Sequence, residues 1–114
     1  MFDKISKLNC VKQARQGKVR DIYDLGDSLL LVTSDRISAF DVVFDQPIKD
    51  KGIILNKIAV SIFKATSHIV DNHLISSEVK DYPQEFHEFK DYLEGRSMLV
   101  QKTRVIPFEC IVRG

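Results

Sequence analysis

The chain has 114 residues, of which 44% are hydrophobic and 29% charged, a composition that predicts one folded domain and excludes a disordered chain. Its 17 basic and 16 acidic residues give a net charge of +1, so neither a nucleic-acid partner nor an anionic membrane surface is expected. No apolar run approaches the roughly 20 residues of a membrane helix, and two cysteines without C-x-x-C spacing, Cys10 and Cys110, favour the cytoplasm.

The first third of the chain predicts a β-hairpin. Residues 1–16 are polar and mixed, which is typical of a loosely attached arm or a short helix. Residues 17–23 alternate in polarity, residues 24–27 (D-L-G-D) supply turn chemistry, and residues 29–33 form a short apolar run. Two extended runs around a Gly-Asp turn indicate two antiparallel strands.

A further strand and a long helix are predicted next. Residues 38–45 alternate again and end at Pro47, which predicts a strand. From about residue 53 to residue 70 the apolar residues recur at helical spacing. We expect this apolar stripe to pack on the sheet; it comprises Leu55, Ile58, Ala59, Ile62, Phe63 and Val70.

The last third predicts more strands and completes an α+β pattern. Residues 74–79 form another short candidate strand, and residues 81–95 a polar connection with a helical turn after its proline. Residues 97–103 and 106–112 are predicted as two strands. Runs of strands with one long helix favour an α+β fold, a mainly antiparallel sheet with that helix packed on it.

The segment G-K-V-R at residues 17–20 is the first candidate for chemistry. A glycine at a strand entry lets the backbone approach a ligand, and Lys18 and Arg20 on one strand face can meet polyphosphate oxygens. The segment is neither the phosphate loop ending in Lys-Ser/Thr nor G-x-G-x-x-G. The alternative is an ordinary hairpin with two exposed cations.

Two further segments could orient a ligand. Residues 34–41 (S-D-R-I-S-A-F-D) combine two carboxylates, a guanidinium and two hydroxyls, which suits a small anionic or hydroxylated ligand. Asp35 and Asp41 could instead only cap turns. Residues 96–107 run from an apolar strand into a polar connector that could sandwich a flat heterocycle, although a core strand explains them equally.

The closing segment V-I-P-F-E-C-I-V-R-G, residues 105–114, is the most informative. As a strand it would place Glu109 and Arg113 on one face, either toward a ligand or toward water at a sheet edge. No polar tail follows Arg113, which leads us to expect that the sequence is part of a longer protein.

Five segments in this order resemble the SAICAR synthetase family, phosphoribosylaminoimidazole-succinocarboxamide synthase: G-K-V-R-D-I-Y, S-D-R-I-S-A-F-D, K-G-I-I-L, G-R-S-M-L-V-Q-K and the closing segment. The resemblance covers residues 17–114, and the closing segment is its most specific part. It implies that residues 1–114 form the family's N-terminal ATP-binding lobe, similar to a kinase N-lobe, without the family's C-terminal half.

The resemblance implies a ligase of purine biosynthesis that joins L-aspartate to carboxyaminoimidazole ribonucleotide with ATP and Mg²⁺. It implies ATP-phosphate contacts from Gly17, Lys18, Val19 and Arg20, and adenine contacts from Val100, Gln101, Lys102, Thr103 and Val105. It implies substrate contacts from Arg36, Ser38, Asp41, Glu109 and Arg113. The family's Asp-x-Lys-x-Glu element is absent, so Mg²⁺ ligands are expected from the C-terminal half and no catalytic residue is assigned.

Three interpretations stay open at this stage. The chain is an N-terminal portion of the ligase, inactive by itself, or a stand-alone nucleotide-binding or interaction module that has lost catalysis. The third is a different ATP-using protein with a kinase-like N-lobe, which the absence of a V-A-I-K lysine pattern disfavours. Small molecules are the expected partners in the first interpretation, and a homo-oligomer is compatible with it.

Overall fold

A computed structural model describes residues 13–114, and its main feature is a five-stranded antiparallel sheet in the order β1-β2-β3-β7-β6. Its strands are β1 (Gln13–Gln16), β2 (Arg20–Asp24), β3 (Ser28–Thr33), β6 (Leu74–Ser76) and β7 (Ser97–Gln101). The expected arm or helix over residues 1–16 is therefore wrong for Gln13–Gln16, which pair with β2. The rest of that prediction lies outside the described residues.

The predicted hairpin is confirmed as β2 and β3. Asp24 accepts a hydrogen bond from the Gly26 amide at 2.9 Å, and the Leu25 amide donates to the Ser28 carbonyl at 2.9 Å. Gly26 has φ +99°, a conformation that favours glycine. The turn chemistry therefore fixes the register in which Arg20 pairs with Thr33.

Side chains from both faces of the sheet are buried. Alternate residues of β3 point to opposite faces, so Leu30 and Val32 enter one core and Leu29 and Leu31 the other. The first core is closed by Val79, Tyr82, Phe86 and Leu93. Val79 and Phe86 come from the 3₁₀ helices Val79–Asp81 and Gln84–Phe89, Leu93 comes from α2 (Lys90–Leu93), and Tyr82 directly follows the first 3₁₀ helix. The predicted helical turn after Pro83 is therefore confirmed.

The long helix α1 (Lys51–Thr66) covers the second core, but not with the whole predicted stripe. Ala59 and Phe63 pack there beside the buried Val60. Leu55, Ile58, Ile62 and Val70 are instead 38%, 51%, 55% and 63% exposed, and the helix ends before Val70. The stripe prediction is therefore wrong for these four residues.

Gly52 explains this rotation of the helix. A Cβ at Gly52 would lie 2.2 Å from the Thr33 carbonyl oxygen, 2.7 Å from that of Ser34 and 2.9 Å from Nη1 of Arg96. The helix therefore meets the end of β3 through its backbone. With Gly52 toward the sheet, Asn56 and Val60 follow on the same face and are buried.

Two predicted strands are corrected. Residues 38–45 form not one strand but a tight hairpin of β4 (Ser38–Ala39) and β5 (Val42–Val43), because Phe40 and Asp41 take positive φ angles of 50° and 63°. Residues 106–112 form no strand and are exposed throughout. The alternation in that segment has no neighbouring strand within the described residues with which to form a ladder.

Replacing Gly52 by alanine should destabilise the chain by about 1–3 kcal/mol, because the new methyl group would overlap two carbonyl oxygens. Helix propensity alone would instead increase the free energy of unfolding, since alanine in a helix is favoured over glycine by roughly 0.5–1 kcal/mol. Urea unfolding of Gly52→Ala measures the effect, with Ser61→Ala on the exposed side of α1 as the control. Unchanged or increased stability of Gly52→Ala would contradict the close approach.

Candidate functional site

The entry to β2, residues 17–20, forms a tight loop held by its own backbone and by Ser34. The Gly17 amide donates to the Arg20 carbonyl at 2.7 Å. The Val19 carbonyl accepts from the Ser34 amide at 2.8 Å and from the Ser34 hydroxyl at 2.7 Å. A Cβ on Gly17 would lie 2.9 Å from the Arg20 carbonyl oxygen. Glycine is therefore required for the loop to close this tightly.

The guanidinium group of Arg36 also binds the backbone of this loop. Its Nε donates to the Lys18 carbonyl at 3.1 Å, and its Nη2 donates to the Gly17 carbonyl at 3.3 Å and to Oδ1 of Asp21 at 2.8 Å. The side chains of Arg36 and Asp21 are only 13% and 7% exposed. The guanidinium predicted to meet a substrate thus serves within the protein as a clamp on the backbone of the loop.

Lys18 and Asp41 connect two segments that the sequence singled out separately. The Lys18 ammonium forms an ion pair with the Asp41 carboxylate, at the turn between β4 and β5. The hydrogen bond and charge of Lys18 lower the pKa of Asp41 below its ordinary value. Both side chains are largely exposed, so an anion arriving from solvent can compete for the ammonium group.

Arg20 lies at a crevice of about 170 Å³ between α1 and the sheet. Asn56, which no sequence pattern singled out, also lines this crevice. Its Nδ2 donates to the carbonyls of Gly95 at 3.0 Å and Ser97 at 3.2 Å, while its buried Oδ1 has no hydrogen-bond partner among the described residues. A polar residue inside an otherwise apolar helical pattern was the available sequence signal.

The connector predicted to meet a heterocycle leaves the sheet at the end of β7. Val100 is buried against α1, whereas Gln101, Lys102, Thr103 and Val105 are exposed. The Gln101 amide donates to the His73 carbonyl at 2.8 Å, and Lys102 Nζ donates to Asp24 at 2.7 Å. The side chain of Val100 is thus committed to the core, while the connector beyond it is accessible.

The remaining predicted substrate residues are not all brought together. Ser38 is half-buried in β4, next to the turn that carries Asp41. Glu109 and Arg113 lie in the exposed segment after β7 and form no side-chain hydrogen bond or ion pair with another residue of 13–114. Their proposed roles therefore remain predictions.

Residues 13–114 do not offer a cation site. Among them, no three histidine, cysteine, aspartate or glutamate side chains come together as metal ligands. Two carboxylates that contact the loop residues or their clamp, those of Asp41 and Asp21, form ion pairs with Lys18 and Arg36. The described residues thus do not fit Mg²⁺ as a resident ion, and no step is assigned to one here. Within the same range, no helix is long and apolar enough to cross a membrane.

Comparison with known proteins identifies the family. A sequence model of SAICAR synthetase matches residues 13–114. The chain belongs to the SAICAR synthetase family. It is 57% identical over 104 residues to phosphoribosylaminoimidazole-succinocarboxamide synthase of Geotalea uraniireducens and 56% identical to that of Geobacter sulfurreducens. In both comparisons 91% of this chain matches 35% of the relative.

A solved structure of the family shares the fold. The SAICAR-synthase from Saccharomyces cerevisiae, solved in complex with SAICAR, superimposes with a TM-score of 0.81 at 38% identity. The match covers 90% of this chain and 37% of the yeast one. The predicted α+β class and the family resemblance are confirmed, and a different family of ATP-using proteins is no longer an alternative. The chain spans about a third of the length of these SAICAR synthetase relatives.

Asp35, between the two clamp residues Ser34 and Arg36, points toward α1. Its carboxylate accepts from the Gly52 amide at 2.8 Å, from the Asp50 amide at 3.2 Å and from Arg96 Nη1 at 2.9 Å. Partial burial alone would raise the pKa of Asp35, but the hydrogen bonds from Arg96 and the two amides outweigh it and hold the pKa below its ordinary value. The ionised carboxylate is therefore stabilised by folding.

Asp35→Asn should lower the free energy of unfolding by about 1.5–3 kcal/mol at neutral pH, because it removes charge-assisted hydrogen bonds. A lowered folded-state pKa favours the folded protein above the ordinary pKa and loses that effect as the pH falls through the folded value. The difference between wild type and Asp35→Asn should therefore shrink below about pH 4. Urea unfolding of both chains from neutral pH downward, with Asp45→Asn on the exposed loop as control, measures this; a pH-independent difference would contradict it.

Proposed function

We propose that this chain is the nucleotide-binding part of an ATP-dependent ligase of purine biosynthesis. The complete enzyme joins L-aspartate to carboxyaminoimidazole ribonucleotide and releases SAICAR, ADP and phosphate. Membership of the family supports the reaction, and the loop at residues 17–20 is the observation that carries the role of this part. The loop backbone is held by Ser34 and Arg36, while Lys18 and Arg20 are exposed toward an incoming anion.

The chemistry requires what this loop offers. The substrate carboxylate attacks the γ-phosphorus of ATP to give an acyl phosphate and ADP; the aspartate amine then attacks the acyl carbon, losing a proton and expelling phosphate. Four phosphate charges of ATP must be screened while the reacting groups are aligned. Lys18 and Arg20 supply positive charge on a loop whose position is fixed before the nucleotide arrives, which lowers the cost of ordering it.

The other predicted residues complete the proposal. Gly17 and Val19 would contribute loop backbone, and the connector of Gln101, Lys102, Thr103 and Val105 would meet adenine where it leaves the buried Val100. Ser38 and Asp41 would face the substrate side, with Glu109 and Arg113 joining them in the complete enzyme. Arg36 would act through the loop it clamps. Mg²⁺ ligands would come from outside residues 13–114, and the enzyme would work in the cytoplasm.

A hybrid enzyme tests the proposal. When this chain replaces the matched part of the Geotalea uraniireducens relative, the hybrid should form SAICAR from ATP, L-aspartate and carboxyaminoimidazole ribonucleotide. The 114-residue chain alone should form none, because it spans only about a third of the relative's length and no group of metal ligands is present among the described residues. A folded, monodisperse but inactive hybrid would favour the alternative of a binding module without catalysis. SAICAR formation by the isolated chain would contradict the proposal that this chain supplies only the nucleotide-binding part of the enzyme.

Within the active hybrid, Lys18→Ala should raise KM for ATP and lower kcat/KM by roughly tenfold or more, since a charge-assisted phosphate contact contributes about 1.5–3 kcal/mol. Lys64→Ala, an exposed lysine on α1, is the matched control and should leave the kinetics unchanged. Unchanged ATP dependence in Lys18→Ala would assign Lys18 only to its ion pair with Asp41.

A further inference from the structure

The helix α1 carries a second apolar face that no residue of 13–114 covers. Gly52, Asn56 and Val60 mark the face buried against the sheet. A different side of the same helix presents four large aliphatic side chains to solvent, which we name the outer stripe: Ile54, Leu55, Ile58 and Ile62, 57%, 38%, 51% and 55% exposed.

The polar residues of the helix separate the two faces on one side only. Lys57, Ser61 and Lys64 are exposed at helical spacing between the outer stripe and the buried face. On the other side Leu55 and Ile62 adjoin Ala59 and Phe63 at helical spacing, with the polar Thr66 between them in the last turn of the helix. A helix that is apolar over most of its circumference is characteristic of one enclosed by protein on two sides.

We propose that the outer stripe is the docking surface for the part of the family fold that lies outside the match to this chain. The chain matches only 35% of the Geotalea uraniireducens relative, so most of that protein is available to cover the stripe. The stripe is also preformed: α1 is anchored at Gly52 and Asn56 and needs no ordering before it docks. By contrast, the exposed segment after β7 has no secondary structure with which to present a fixed surface.

This proposal goes beyond the nucleotide chemistry. It requires that the chain belongs to the family, but it does not require the proposed role of the loop at residues 17–20. It predicts that the two parts associate even when supplied as separate polypeptides, because the stripe does not need a covalent connection to bury its apolar area. An apolar interface of this kind should also be insensitive to salt, since the outer stripe carries no charge.

Co-expression tests the docking surface. The tagged 114-residue chain is produced together with the portion of the Geotalea uraniireducens relative that the match leaves out, and the complex is isolated and analysed by size exclusion with light scattering. The wild-type chain should yield a one-to-one complex without ATP or substrates. Ile58→Asp and Ile62→Asp should each weaken the complex by on the order of tenfold or more, because docking would bury an unpaired carboxylate.

The controls separate docking from folding. Ser61→Asp introduces the same charge on the polar side of α1 and should leave the complex intact. Because Ile58 and Ile62 are about half exposed, their variants should retain the wild-type circular dichroism and melting temperature; Ile62→Gln provides a milder change if an aspartate variant does not fold.

Three results would overturn the proposal. The first is that the wild-type chain yields no complex, and the second is that the stripe variants bind as well as Ser61→Asp does. The third is that the wild-type chain alone forms a dimer that Ile58→Asp dissociates, which would assign the stripe to a second copy. Because the readout is association without nucleotide, these results are independent of whether the hybrid enzyme is active.

Discussion

The ion pair between Asp35 and Arg96 is the interaction on which the rest of the described structure depends. The Asp35 carboxylate accepts hydrogen bonds from the backbone amides of Asp50 and Gly52, at the beginning of α1, and from the guanidinium of Arg96, directly before β7. Arg96 in turn donates to the Thr33 carbonyl at 3.3 Å and lies over the ring of Tyr92 at 4.9 Å. One partly buried ion pair thereby joins the helix, two central strands and the segment that covers the first core.

This anchoring positions the candidate site because Asp35 is flanked by the residues that hold the glycine loop. Ser34 binds the Val19 carbonyl and Arg36 binds the carbonyls of Gly17 and Lys18, while Asp35 between them is fixed to α1. These hydrogen bonds therefore hold the loop in a fixed position relative to the sheet and α1. Lys18, at its exposed tip, remains the part that a ligand can rearrange.

The sequence predicted the sheet, the hairpin and the long helix because local patterns determine them: alternation, a Gly-Asp turn and helical spacing. It did not predict which side of α1 is buried, since Leu55, Ile58 and Ile62 look more core-like than Gly52 and Asn56. Only the close approach of Gly52 to Thr33 decides that. The prediction of a strand at residues 106–112 was wrong because a strand needs a neighbouring strand for its hydrogen bonds, and alternation alone cannot show that one is present. For the site, the G-K-V-R pattern selected Gly17 and Lys18, whose ligand contacts stay predictions, but it did not predict the clamp role of Arg36, which depends on contacts across the fold.

A double-mutant cycle at Asp35 and Arg96 tests the central claim most directly. Urea unfolding at neutral pH of wild type, Asp35→Asn, Arg96→Gln and the double variant gives the coupling free energy between the two side chains. If their ion pair joins helix to sheet, the double variant should be less destabilised than the sum of the single variants by at least about 1 kcal/mol. Additive effects would show that the two side chains stabilise the fold independently and would contradict the account.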